Sequence, residues 1–287
     1  MHVVLGATGH TGRAAADSLL ERGRKVRVVV RDAGRGEPWK ARGAEVAVAD
    51  ATDEAALAAA LAGAEGAYVL VPPQYGVDDM LAAQRRIIDA LAAAIRKSAV
   101  PHVVLLSSIG AERPSGTGPI VTLHRAEDAL RSAAPRLTAL RAAFFLENWI
   151  PFLPAVREKS VLPSFLPPQR PVPMVATRDI GETAADLLLE TGGPGRRVVE
   201  LSGPRDLAPD DVAAALGERL GRSVRVEPLP LEAVEPSFVA AGMSADVAGL
   251  FREMYGALIA GSIAWEGQTA DSRRGRLGPG DVLGPML

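Results

Sequence analysis

Three glycines at a spacing of three, Gly6, Gly9 and Gly12, stand between the apolar run Val3-Val4-Leu5 and a stretch from Arg13 to Arg22 with Ala16, Leu19 and Leu20 on one helical face. Asp17 and Glu21 fall on the opposite face, and Lys25 to Val30 then reads as a second strand. Glycines in such a strand-to-helix turn allow a tight bend and a close approach of backbone to a pyrophosphate, whose charge rests on the free N–H groups at the positive helix end. The spacing therefore predicts a dinucleotide cradle; a merely structural turn is the competing reading. Where strand two ends, Arg31 precedes Asp32, and Arg35 and Lys40 follow. Arginine there accommodates the 2′-phosphate of NADP(H), whereas an acid holds the ribose hydroxyls of NAD(H). The basic balance favours NADP(H), with NAD(H) second.

Further residues fall at strand ends, where open α/β sheets keep their ligands. Asp50 follows the strand Glu45 to Val48 and reads either as an acceptor for an adenine amino group or as a turn residue, with Asp53 capping the next helix. The strand Gly66 to Val71 runs into Pro72-Pro73-Gln74-Tyr75-Gly76, which cannot continue regular pairing and is expected to wall the site. His102 to Leu106 is apolar enough for a central strand and delivers Ser107 and Ser108, as ligand contacts or as caps of the next loop. Gly110 to Pro119 reads as a mobile flap. The helix Ile120 to Ser132 carries His124 and Glu127 three residues apart, on one face. After a sixth strand, Leu137 to Leu140, the segment Phe144 to Trp149 holds three of the nine Phe and Trp residues. That concentration suits a pocket wall or an aromatic core equally.

Positioning these groups needs alternating strands and helices, which predicts a doubly wound, mainly parallel Rossmann-type sheet over residues 1–150, with 178–201 packing back on it. A helix from about Val77 to Ser98 contributes a core stripe of Met80, Ile87, Ile88, Leu91 and Ile95. Seven prolines between Trp149 and Pro173 forbid a long helix or central strand there and suggest a crossing segment. Residues 151–287 are expected to form a smaller α/β substrate lobe, with Thr177 or Asp179 capping the helix Ile180 to Glu190. Phe238, Met243, Phe251, Met254 and Tyr255 are candidates to line its cleft.

Composition narrows the partners. The net charge of −2 over 287 residues offers no concentrated cation for nucleic acid, and no apolar run approaches the roughly 20 residues of a membrane span. The short opening strand is no secretory signal, and the absence of cysteine removes disulfides, thiolate metal sites and cysteine nucleophiles, so cytoplasm is the expected compartment. No His, Asp and Glu cluster has metal-ligand spacing, and no internal repeat is evident. The expected partner is a small molecule, with a homodimer left open.

Gly-Ala-Thr-Gly-His-Thr-Gly at 6–12, Leu-Ser-Ser-Ile-Gly-Ala at 106–111, Leu-His-Arg-Ala-Glu-Asp-Ala-Leu at 123–130 and Leu-Arg-Ala-Ala-Phe-Phe-Leu-Glu-Asn-Trp at 140–149 together resemble the NmrA-like, atypical short-chain dehydrogenases/reductases. That family includes NAD(P)H-dependent quinone, azo-dye and triphenylmethane reductases, and regulators that bind a dinucleotide without turnover. The resemblance implies that Gly6, Thr8, Gly9, His10, Thr11 and Gly12 contact cofactor phosphates and Arg31 the 2′-phosphate. By the same token Asp50 and Ala51 meet the adenine, Val71 and Pro72 the ribose side, and Ser107 and Phe144 the nicotinamide side. Tyr75, Phe145, Asn148 and Trp149 fall to the substrate. The implied activity is hydride transfer to a quinone-like or other conjugated aromatic or carbonyl acceptor; the alternative is a non-catalytic NADP(H) sensor.

One departure bears on mechanism. Many short-chain reductases lower a tyrosine pKa with a lysine four residues on, but Tyr68, Tyr75 and Tyr255 are followed at that distance by Pro72, Asp79 and Ile259. His124 occupies the helix where such a pair would lie, and reads as a catalytic proton donor beside Ser107 or as a partner of a neighbouring loop.

Overall fold

The structure is a computed structural model describing residues 1–193, 195–265 and 271–287. Its central sheet has eight strands: β1 His2–Leu5, β2 Val26–Val30, β3 Glu45–Val48, β4 Gly66–Val69, β5 His102–Ser108, β6 Arg136–Ala142, β7 Arg196–Ser202 and β8 Ser272–Arg274. All neighbours pair in parallel, in the order β8-β7-β6-β5-β4-β1-β2-β3. The order runs outward in opposite directions from β1 and β4, so a crevice opens beyond their carboxyl ends. This is the expected Rossmann-like α/β architecture.

Its longer helices are α1 His10–Glu21, α2 Glu54–Leu61, α3 Met80–Ser98, α4 Val121–Arg131 and α5 Thr177–Leu189, which cover the sheet, and α6 Pro209–Leu220 and α7 Ala245–Ala260, which lie above its carboxyl edge. Successive strand residues point to opposite faces. Val4, Val28, Val104 and Leu140 therefore meet Leu19 of α1 and Ile180 and Leu187 of α5. Val3, Leu5, Val103 and Leu105 meet Leu57 of α2, Leu91 and Ile95 of α3 and Leu130 of α4 on the other face. Sandwiching explains why the strands are nearly continuous apolar runs. The α1 and α5 backbones cross so closely that a Cβ on Gly181 would fall 2.5 Å from the Thr11 carbonyl oxygen.

Several local expectations are corrected. The helix expected from Val77 begins at Met80, because the Asp79 carboxylate accepts the Ala82 N–H at 2.8 Å and fixes the start. Asp179 caps nothing; its carboxylate accepts the N–H groups of Arg276 and Leu277, pinning the chain after β8 against α5. The expected flap is exposed only at 113–116, and Gly118 seats so tightly on α7 that a Cβ there would lie 2.0 Å from the Leu250 carbonyl oxygen. The strand β8 was not anticipated, since Ser-Arg-Arg has no apolar pattern to show it.

Above the carboxyl edge, Val161–Ser164 pairs in parallel with Arg225–Pro228, and Phe144–Phe145 with Met174–Val175. With α6 and α7 they enclose an apolar cluster that includes Leu146, Trp149, Leu162, Phe165, Leu216 and Tyr255.

Candidate functional site

The three glycines have three different duties. Gly6 has φ +69°, a conformation that favours glycine, and a Cβ on it would meet the Leu70 side chain at 2.7 Å. Gly12 is buried, and its Cβ would lie 2.3 Å from the Gly6 carbonyl oxygen and 2.8 Å from that of Leu5. It serves the close packing of α1 onto β1, where a side chain has no room. Gly9 is the N-cap of α1, and its Cβ would touch only the Gly6 carbonyl oxygen, at 3.4 Å, with open space beyond. No side chain caps this helix and no acid occupies its first turn, whereas Asp53 caps α2 and Asp79 caps α3.

Thr8, Gly9 and His10 are exposed at that uncapped end. The Thr11 side chain is not: it is buried, and its Oγ1 accepts the Tyr68 hydroxyl at 2.9 Å. This hydrogen bond ties the Thr11 hydroxyl oxygen to the core beneath the turn. What α1 presents to an anion is bare backbone N–H at its positive end, in a cradle where a side chain on Gly9 would intrude. These residues fit the pyrophosphate of a dinucleotide.

Arg31 follows β2, is exposed, and forms no hydrogen bond or ion pair with the described residues. Asp50, after β3, accepts the Thr52 N–H at 2.9 Å and the Thr52 hydroxyl at 2.6 Å, the turn arrangement that was one of its two readings. Those hydrogen bonds, with help from nearby Arg31, hold its carboxyl below the usual range. Ala51 is half-buried beside it. After β4, Val71 packs on the apolar cluster beneath, and Pro72 is half-buried.

After β5 lies a charged network. Ser107 is buried and donates to Glu127 Oε1 at 2.5 Å, while Arg141 of β6 donates to both Glu127 oxygens, at 2.9 and 2.8 Å. Arg141 also reaches Glu112 at 3.5 Å. The Ser107 hydroxyl hydrogen is thus engaged by Glu127 in the interior. His124 Nδ1 donates to the Ala111 carbonyl at 2.9 Å, and Nε2 lies 3.5 Å from Asp128. These contacts tie α4 to the loop that follows β5, the second of its two readings.

Beyond β6 the chain forms a hollow of about 210 Å³, including space open at its mouth, lined by Phe144, Asn148, Trp149, Phe152, Ser164, Phe165, Leu166 and Tyr255. No lining residue is charged. The rings meet mostly edge to face, Phe144 with Trp149 and Tyr255, and Phe152 with Phe165. Ser164 is engaged with Leu166, whereas the buried Trp149 Nε1 has no hydrogen-bond partner among the described residues. Burial drives the Tyr255 phenol's pKa up, so it stays protonated.

Five expected residues are sorted by this geometry. Phe144, Asn148 and Trp149 line the hollow together, but Phe145 packs on the opposite core, because consecutive residues of a strand face opposite ways. Tyr75 is 44% exposed and stacks on Phe251 at 6.0 Å, its carbonyl accepting the Ser244 N–H at 2.9 Å. It ties the loop after β4 to α7 and does not line the hollow. Phe152, Ser164, Phe165 and Leu166 were missed, since the proline-rich stretch carries no periodicity to say which way its side chains turn.

Comparison with known proteins agrees with this framework. The chain is 28% identical to an NAD(P)H azoreductase of Xenophilus azovorans over 89% of this chain and 86% of that protein. It is 31% identical to a (4-alkanoyl-5-oxo-2,5-dihydrofuran-3-yl)methyl phosphate reductase of Streptomyces griseus, over 84% and 81%. Its fold superposes with TM-score 0.80 on the Citrobacter sp. triphenylmethane reductase solved with NADP(H), at 23% identity and 92% coverage of both chains. The model of the NmrA-like family matches residues 2–263, and with a glycine turn, switch point and strand-end residues arranged as described, the chain belongs to that family.

Proposed function

We propose that the protein is an NAD(P)H-dependent oxidoreductase, preferring NADP(H), that reduces a quinone-like or other conjugated aromatic or carbonyl acceptor. The observation that carries this reading is the pairing, along one sheet edge, of an uncapped glycine-cradled helix end with an uncharged aromatic hollow. The relatives named as reductases support it. Gly6, Thr8, Gly9 and His10 frame the pyrophosphate, with the first N–H groups of α1. Arg31 meets the 2′-phosphate, and Asp50, Ala51, Val71 and Pro72 border the adenosine. Residues 151–287, apart from 178–201 which pack back on the sheet, form the substrate lobe.

Bound NAD(P)H supplies a hydride; the acceptor takes that hydride and one proton. The chain's residues orient the acceptor and exclude water. Phe144, Phe152 and Phe165 clamp its ring, and the protonated Tyr255 phenol offers a hydrogen bond to its oxygen. Solvent replaces the proton consumed, a role suited to acceptors whose reduced form is a stable phenol. Ser107, through Glu127 and Arg141, holds the end of β5 in place.

The test follows NADPH absorbance with a panel of quinones, azo dyes and aromatic ketones. Turnover is expected with at least one, and its loss in Gly9→Val, with the fold intact by circular dichroism. Tight NADPH binding with no oxidation by any acceptor would replace this reading with that of a sensor.

A further inference from the structure

The aromatic hollow beyond β6 is shut. Most of its 210 Å³ is crevice too narrow for water or solvent at the mouth, and the rest holds about one water molecule. No aromatic ring fits between Phe144, Phe165 and Tyr255 as they stand. One wall belongs to a helical hairpin made of Val234–Ala240 and α7. Within it Phe238 packs on Phe251 with ring centres 5.0 Å apart, and Arg252 reaches Glu235 at 3.2 Å, so the two helices form one unit. Phe238 and Tyr255 both rest on Phe165. The tip of the hairpin is tied to a different part of the chain. The Asp246 carboxylate accepts the N–H of Met80, the first residue of α3, at 3.0 Å, and the Tyr75 carbonyl accepts the Ser244 N–H at 2.9 Å. Asp246 and Tyr75 are exposed, so water can take the place of these partners. Farther along α7, Gly118 bears on the Leu250 carbonyl with no side chain between them, and α7 ends at Gly261, whose φ of +74° favours glycine. A bare pivot, a glycine at the helix end and a solvent-exposed tie at the tip are the parts of a lid.

We infer that this hairpin is a self-inhibiting lid: the ties of Ser244 and Asp246 to the chain after β4 hold α7 over the hollow, and an acceptor ring enters only when they let go. A ring in the hollow displaces Tyr255, and α7 with it, so the ties belong to the acceptor-free state. Weakening them raises the fraction of molecules competent to bind, and with it the apparent affinity for the acceptor. The inference rests on the hollow being the acceptor site, but the opening of the lid is measured without any acceptor.

The chain has no cysteine, so a single introduced thiol reports on the lid. Val247 is wholly buried near the tip of α7, and in Val247→Cys the thiol meets an aromatic disulfide reagent only when the hairpin lifts. Labelling is expected at a rate that stays flat in urea below the unfolding transition, and that rises about five- to tenfold when Asp246→Ala is added. Asp246→Asn keeps an acceptor but loses the negative charge beside the thiol and at the start of α7, and should stay within about twofold of the Val247→Cys parent. With NADPH saturating, Asp246→Ala is expected to lower KM for a naphthoquinone about fivefold while kcat changes less than about twofold. A residue that merely supported the fold would raise KM or leave it unchanged. Labelling that follows global unfolding alone, or a rate that Asp246→Ala leaves unchanged, overturns the lid. Faster labelling with KM unchanged or raised overturns its inhibition of acceptor entry. If no acceptor is reduced, the reductase reading fails, while the labelling still decides whether the lid opens. Should Val247→Cys fail to fold, hydrogen exchange of the α7 amides in the wild type and in Asp246→Ala makes the same comparison, with the same outcomes.

Discussion

At the scale of single residues, Gly9 and Gly12 are expected to respond in opposite ways to the same added methyl group. Gly12→Ala drives a Cβ into two backbone carbonyls of the β1 turn, neither of which can swing aside. A loss of about 3 kcal/mol is expected, visible as a shift of several degrees in thermal unfolding. Gly9→Ala meets one carbonyl at ordinary contact distance and should cost less than about 1 kcal/mol. It should nevertheless weaken dinucleotide binding about tenfold, because the new methyl occupies the approach to the helix end. Arg31→Ala is expected to weaken NADPH binding about ten- to a hundredfold and leave NADH within about twofold, the loss of a charge-assisted contact to one phosphate. Isothermal titration with both dinucleotides checks this, and equal losses for the two would displace the 2′-phosphate from Arg31.

Between elements the chain is held by a few polar fasteners, and among the ion pairs of the described residues the Glu127 pair with Arg141 is the most buried. It joins α4 to β6, and through Ser107 to β5, at the edge where the proposed nicotinamide side lies. Water cannot take the place of either partner. Glu127→Ala is expected to cost about 1.5–3 kcal/mol in urea unfolding, because it removes the nearer carboxylate from a buried guanidinium that keeps Glu112 as a partner. Glu127→Leu combined with Arg141→Met should recover much of that stability, since the ions' loss of hydration is removed with the ions. His124 fastens the same region from the side. His124→Ala is expected to raise the acceptor KM several-fold by freeing Ala111, with kcat at saturation reduced less than KM is raised; a collapse of kcat alone would give the imidazole a chemical step.

Across the whole molecule, the end of the sheet opposite the site has its own titration. His102 starts β5 and His2 starts β1; both are buried, and each has an Nδ1 without a partner among the described residues. Burial, followed by the Arg136 charge, lowers the His102 pKa from 6.5 to about 4, and burial with the N-terminal amine lowers that of His2. Glu190 opposes the shift and Arg197 adds to it. Because the folded pKa lies below the unfolded one, the unfolded chain takes up its proton first as pH falls. Stability is therefore retained above about pH 6.5 and lost progressively down to about pH 4. His102→Gln should flatten the dependence of the melting temperature on pH in that window; an unchanged slope would mean that other groups govern it.

The sequence alone determined the features that depend on local spacing. Glycines every third residue after an apolar run specify a strand, a bend and a helix start. Strand after strand of Val and Leu declares burial on both faces, which requires a parallel sheet under two layers of helix. Asp53 showed itself as a cap because capping is a short-range hydrogen bond. Tertiary structure alone decided which side chains face the hollow and the uncapped helix end. Thr11 and Gly12 lie within the glycine motif, yet the crossing of α1 over β1 and the reach of Tyr68 turn them inward. Phe144 and Phe145 are neighbours of one chemical type, and a two-residue strand sends only Phe144 to the hollow. Tyr255 meets Phe144 and Phe165 from more than 80 residues away, so no pattern in the intervening sequence announces the contact. Packing between distant segments has no period, and the aromatic hollow is made of such packing.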